Sequence, residues 1–180
     1  MSAELFVGVK TLFLSQGDYR KTGQALIAHL APADLRTAAR TLLSAGLHLE
    51  DVCGLDTAEG LFAVYHFDHY TRPGRVTLRV FVDREAPEIP TISDIYQGAD
   101  WHERETHDFY GIVFAGHPNM LPLLLPEDAD FHPLLKEAAT RVAAAAILEK
   151  GQVLSQADGF VLLDAPAPEE PGQAAAGDGN

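Results

Sequence analysis

Two carboxylates stand three residues apart in Glu105-Thr106-His107-Asp108, the spacing that sets both on one side of a helix. A pair held that way could divide acid and base work between its members. The rest of a hydrolytic site is not recognisable: the chain carries no nucleophile elbow and no phosphate-cradling glycine loop. A structural or interface role is therefore expected for Glu105 and Asp108. Arg104, four residues before Asp108, is placed to pair with it, and a basic group from elsewhere should meet the remaining charge.

Histidine offers the competing chemistry, since metal sites need two to four converging ligands. His66 and His69 sit at the end of a predicted strand, where three-residue spacing sends them to opposite faces. His102 and His107 are five apart on a predicted helix and diverge by ~140°. Neither pair has zinc-motif geometry, so no metal ligand is assigned. Glu127-Asp128-Ala129-Asp130 lacks the glycine and the distant glutamate of a calcium loop and reads as a solvated turn. The single cysteine, Cys53, excludes an internal disulfide and reads as a small core residue between Val52 and Gly54.

The elements that must position these groups follow from apolar period. Asp100 is a candidate N-cap, with Glu103 three residues on, and Gly111 ends the helix as a left-handed residue. On that helix Trp101, Glu105, Asp108 and Ile112 share the face expected to be buried, while Glu103, His107 and Tyr110 point away. Upstream, Leu5 to Leu14 leans towards strand, and Ala25 to Leu30 is a short apolar strand. Pro32 to Leu43 is a helix with Leu35, Ala38, Ala39, Leu42 and Leu43 in one stripe. Leu47 to Val52 is a strand, Gly54 to Asp56 a turn, and Leu61–Asp68 with Arg75–Val82 an antiparallel hairpin. Val76, Leu78, Val80 and Val82 alternate with Arg75, Thr77 and Arg79, which predicts one solvated sheet face, while Phe81 is free to meet a partner. The fold class is thus α+β, a small mostly antiparallel sheet packed with helices.

Past Pro118 the character changes. Prolines 122, 126 and 133 bar a helix and remove ladder donors, so residues 119–135 should form an extended strap. Leu121, Leu123, Leu124 and Leu125 need a surface, either a partner's groove or their own domain, at ~1.5–3 kcal/mol for each buried leucine. Leu134 to Lys150 is Ala-rich and reads as a helix, Val153 to Leu163 as a last strand. The organisation expected is an α+β domain over 1–118, a strap and helix docking on a partner over 119–164, and a disordered tail over 165–180.

Thirteen basic against twenty-six acidic residues leave a net charge of −13, which argues against direct contact with nucleic acid or anionic lipid. No apolar run reaches the length of a membrane span, and no basic region precedes an N-terminal apolar stretch. By these criteria the chain is expected to be soluble and intracellular, docking on a membrane complex at most.

The run Glu103-Arg104-Glu105-Thr106-His107-Asp108-Phe109-Tyr110-Gly111-Ile112, followed by Gly116-His117-Pro118, resembles the signature of the "thirty-kilodalton" (30 kDa) subunit of respiratory complex I. That family also includes counterparts in energy-converting membrane-bound nickel–iron hydrogenases. The resemblance covers roughly residues 24 to 136 and implies a compact α+β domain in a hydrophilic peripheral-arm subunit. It further implies no flavin, iron–sulfur cluster or metal in this chain, and hence no catalytic residue of its own. The implied partners are the large quinone-site subunit and a neighbouring iron–sulfur subunit, on the cytoplasmic side of the membrane. The assembly would couple electron transfer from NADH to quinone with proton translocation.

Carried over residue by residue, Glu103, Arg104, Glu105 and Asp108 would form an ion-pair network at the contact with the large subunit. Gly111 would allow the exit turn, and Gly116, His117 and Pro118 would aim the strap. The chain departs from the NADH-type pattern at Asn119-Met120-Leu121-Pro122 and at Leu135, where relatives carry three arginines. The Pro122-to-Asp128 stretch resembles the hydrogenase-associated branch, which stays open as an alternative. A free-standing metal-binding or hydrolytic protein is the third reading.

Overall fold

The computed structural model describes residues 2–72 and 74–164; the expected disorder of 165–180 falls outside the described residues. In chain order the elements are β1 (Phe13–Gln16), α1 (Tyr19–Thr22), β2 (Gln24–Leu30), α2 (Leu35–Ser44), β3 (His48–Asp56) and β4 (Leu61–Asp68). They continue with β5 (Arg75–Val82), β6 (Glu88–Pro90), α3 (Ala99–Tyr110), β7 (Val113–Ala115), α4 (Ala144–Ile147) and β8 (Gln152–Gln156).

Six strands form one sheet in the order β3-β4-β5-β2-β1-β8. Every neighbour is antiparallel except β2 and β5, which run parallel, and β6 pairs β7 as a separate parallel ribbon. This is the expected α+β class. The hairpin stands at the expected bounds, with Leu61 opposite Val82 and Phe67 opposite Val76.

One face of the sheet makes the main core. Ala28, Leu30, Tyr65, Phe67, Leu78 and Val80 meet Leu35, Ala38, Ala39 and Leu42 of α2, all essentially inaccessible to solvent. Pro32 and Asp34 open this helix as a short 3-10 turn before Leu35. Leu43, placed in the apolar stripe from sequence, instead stays half exposed.

The other face is not wet. Thr77 and Arg79 are buried, because residues 144–163 fold back over them and add β8 to the edge at β1. Phe160 and Leu163 pack on Phe13, and Ala144 on Phe62 and Val64. Phe81 packs against Phe62 at a ring separation of 5.3 Å. Arg79 donates to the Glu149 carbonyl at 2.8 Å, and burial pulls its guanidinium down to about 10.

Three other expectations need correction. Leu5 to Leu14 is no single strand: Ala3–Phe6 is a 3-10 turn, and β1 begins only at Phe13. The Gly54-to-Asp56 turn is the end of β3, and the 134–150 helix is replaced by extended chain with two short turns, Ala138–Thr140 and α4. The physical reason for the extended 134–150 segment lies in Asp56. Its carboxylate, inaccessible to solvent, accepts from the Lys136 amide at 2.8 Å and pairs with Arg84 and Arg141 at 2.6 and 3.4 Å. Glu59 accepts from the Ala144 amide at 2.9 Å. These bonds take amides a helix would have used, and alanine's propensity, worth only tenths of a kcal/mol per residue, does not compete.

Candidate functional site: the α3 helix and its strap

α3 begins at Ala99, two residues earlier than an Asp100 cap would allow, and its N-terminus has no side-chain cap. Gly111 ends it at φ 72°, with its amide donating to the His107 carbonyl. The exit turn is tight enough that a Cβ on Gly111 would lie 2.7 Å from the His132 ring.

The helix is rotated from the expected orientation. Ala99, Glu103, Thr106 and Asp108 are buried, while Trp101 is 65% exposed. Glu103 turns inward because the loop before the helix needs an acceptor: it takes the Ile92 amide at 2.8 Å and a short hydrogen bond from the Thr91 hydroxyl. Burial, reinforced by the charges of Asp100 and Asp94, outweighs those two bonds and raises its carboxyl to about 7. His117, also buried, accepts the Asn119 amide at Nδ1, which leaves its Nε2–H to donate to the Asp100 carbonyl at 3.2 Å.

Among the described residues no ion pair joins Arg104 to Asp108. Arg104 instead donates to the carbonyls of Leu121 and Pro122 at 2.9 and 3.0 Å. Asp108 accepts the amides of Leu123, Leu124 and Leu125 on a single oxygen. Both residues therefore hold the chain's own strap. The His132 Nδ1–H donates to the Asp108 carbonyl at 2.8 Å, and the Leu134 amide to the Phe109 carbonyl at 3.2 Å. Glu105 lies half-buried beside a pocket lined by Cys53, Phe109, Tyr110 and Leu134. Gly116, at φ 82°, and Pro118 make the bend that starts the strap.

Sequence reasoning missed Asp56 and Thr91, both of which act through partners distant in sequence. It placed Glu103 outward because the amide it satisfies lies eleven residues upstream, beyond any helix period. The strap's backbone is satisfied locally, but its apolar side chains are not. Trp101, Leu121, Leu124, Phe131 and Leu134 are each about half exposed or more, and all lie on α3 or on the strap bound to it.

Residues 28–143 match the model of the family described as respiratory-chain NADH dehydrogenase, 30 Kd subunit. The chain belongs to this family. The match runs from β2 to the residue before α4 and so includes α3 and the whole strap. An NADH-quinone oxidoreductase subunit of Chloroherpeton thalassium is 48% identical over 86 residues, covering 47% of this chain and 36% of that relative. The protein of the same description from a Roseiflexus species is 44% identical over 92 residues, covering 49% and 53%. The chain thus spans about half or less of the length of these curated relatives. A chain of the membrane-bound sulfane sulfur reductase, an archaeal respiratory membrane complex, superposes with a TM-score of 0.60 at 21% identity, over 72% of this chain and 78% of that one. That likeness is one of fold. Among the described residues no helix is long and apolar enough to cross a membrane.

Proposed function

We propose that this chain is a non-catalytic peripheral-arm subunit of an NADH:quinone oxidoreductase of the complex I type. It braces the large subunit that shapes the quinone pocket and touches the neighbouring iron–sulfur subunit, on the cytoplasmic side of the membrane. The assembly carries out electron transfer coupled to proton translocation; this chain holds its parts together.

The observation that carries the reading is the row of exposed Trp101, Leu121, Leu124, Phe131 and Leu134 along α3 and its strap. Leaving large apolar side chains in water forgoes ~1.5–3 kcal/mol apiece, and a folded chain that fastens its backbone so firmly beneath them presents them to a partner. Arg104 and Asp108 then serve the contact indirectly, by fixing the strap's course. Glu105, half-buried beside the same strap, is the signature carboxylate left to meet a partner's cation.

The test is co-purification from the native host through a tag on this chain, with the co-purifying proteins identified by mass spectrometry. Recovery of a large quinone-site subunit with flavin and NADH-module subunits supports the reading; a chain recovered alone overturns it. A hydrogenase-type assembly is the second reading, favoured by the Pro122-to-Asp128 stretch that resembles that branch. Recovery of a nickel–iron hydrogenase large subunit would select it.

A further inference from the structure

Cys53 is not the core residue its neighbours suggested; it is exposed. The β3–β4 register explains its surroundings. Asp51 lies directly opposite His66, and Cys53, two residues along β3, shares the face of Asp51. A bulge between Leu49 and Asp51 sets this alignment. Asp51 Oδ1 and His66 Nδ1 are 2.7 Å apart, and one ligand atom from each of Asp51, Cys53 and His66 lies within 4.8 Å of the other two.

We propose that Asp51, Cys53 and His66 form a surface site for a thiophilic divalent cation of the zinc type. The donor set is a carboxylate, a thiolate and an imidazole, each an ordinary zinc ligand, at bond lengths of ~2.0–2.3 Å. Those lengths put two ligand atoms on one tetrahedral ion roughly 3.3–3.8 Å apart, inside the spread the three atoms already span. Side-chain torsion must open the Asp51–His66 contact by about an ångström, while the strands stay fixed by their ladder. Water completes the shell on the exposed side.

Neighbouring charges of both signs act on the site, Arg75 on Asp51 and Glu105 on Cys53. Glu105 lines the pocket beside Cys53. As the metal–sulfur bond forms, the cation displaces the thiol proton to solvent. Such an ion would crosslink β3 to β4 at the sheet edge and carry no electrons. The histidine spacings weighed from sequence could not reveal the site, because two of the three ligands come from the facing strand.

The test uses the full chain, tag removed and stripped with a chelator, titrated with Co²⁺ and followed by absorbance. The expected result is a thiolate-to-cobalt charge-transfer band in the near ultraviolet that saturates at one equivalent and is abolished by one equivalent of Zn²⁺. Cys53→Ser should remove the band. His66→Ala and Asp51→Ala should each weaken Co²⁺ binding by more than roughly tenfold. Circular dichroism identifies any variant that has lost its fold; should one do so, His66→Gln or Asp51→Asn replaces it. Absence of the band in the folded wild-type chain, or a band that both the His66 and Asp51 variants keep at full affinity, overturns the site.

Discussion

The Oδ2 atom of Asp108 lies 2.7 Å from the Leu124 amide nitrogen and accepts its hydrogen bond, while the Leu123 and Leu125 amides reach the same oxygen from 2.9 and 3.1 Å. One carboxylate thereby fastens three consecutive strap residues to α3. Burial works against its charge, but the three amides and nearby His107 outweigh burial and hold its pKa below the ordinary aspartate range.

A carboxyl with a depressed pKa stabilises the fold above its unfolded value, ~3.9 for aspartate, and loses that contribution as pH falls through the folded value. Acid should therefore loosen the strap at Leu123–Leu125. At neutral pH Asp108→Ala should do the same, since a hydrogen bond to a charged group is worth ~1.5–3 kcal/mol. Hydrogen exchange checks this: protection of those three amides should fall at least tenfold, with α2 unchanged. Unaltered protection in Asp108→Ala would mean the prolines alone shape the strap.

Glu103 titrates in the opposite sense. Its folded pKa, about 7, lies above its ordinary value near 4.5, so the folded chain retains a proton the unfolded chain releases. That contribution is fully present below the ordinary value and is lost as pH rises through about 7, a change on the order of 3 kcal/mol. Glu103→Gln can still accept from the Ile92 amide and removes the titration. Thermal melts from about pH 5 to pH 8 should show the wild type losing stability relative to this variant as pH rises. Parallel curves would count against a carboxyl raised by burial.

Much of this architecture was legible in the sequence, and the failures share a cause. β4 and β5 could be bounded because both are rich in β-branched and aromatic residues and are flanked by turn residues, and α3 could be stopped at Gly111 because a left-handed residue is favoured there. The largest misreadings depend on a partner far along the chain. Glu103 faces inward for the Ile92 amide, and residues 134–150 are extended because Asp56 and Glu59 hold their amides. The polar row Thr77 and Arg79 looked wet until the C-terminal residues were seen to cover it. Local period reports which side chains are apolar; it does not report which buried acceptor claims a distant donor.

Gly54 is another such position, reading as a turn while lying inside β3. A Cβ there would stand 2.1 Å from the Tyr110 ring, so the strand meets α3 through the missing side chain. Gly54→Ala should cost ~1–3 kcal/mol through overpacking, at roughly 2–4 °C of Tm per kcal/mol for a chain of this size. In a Tyr110→Ala background the same substitution should cost much less, and a double-mutant cycle from four melting curves measures the coupling. Additive losses would mean that Gly54 matters for its backbone and not for Tyr110.

The proposed role predicts a separation between stability and assembly at Trp101 and Leu124. Both side chains are more than half exposed, so Trp101→Ala and Leu124→Ser should leave the isolated chain's Tm within the change of ~0.5 kcal/mol typical of surface substitutions. If a partner buries them, each is a candidate anchor whose truncation costs ~2 kcal/mol or more of binding, about thirtyfold in affinity. Quantifying the assembled complex from hosts carrying each variant, beside melts of the purified chains, reads both quantities. Normal assembly with both variants would remove this surface as the contact. A matched fall in chain stability would instead assign the two side chains to the chain's own packing.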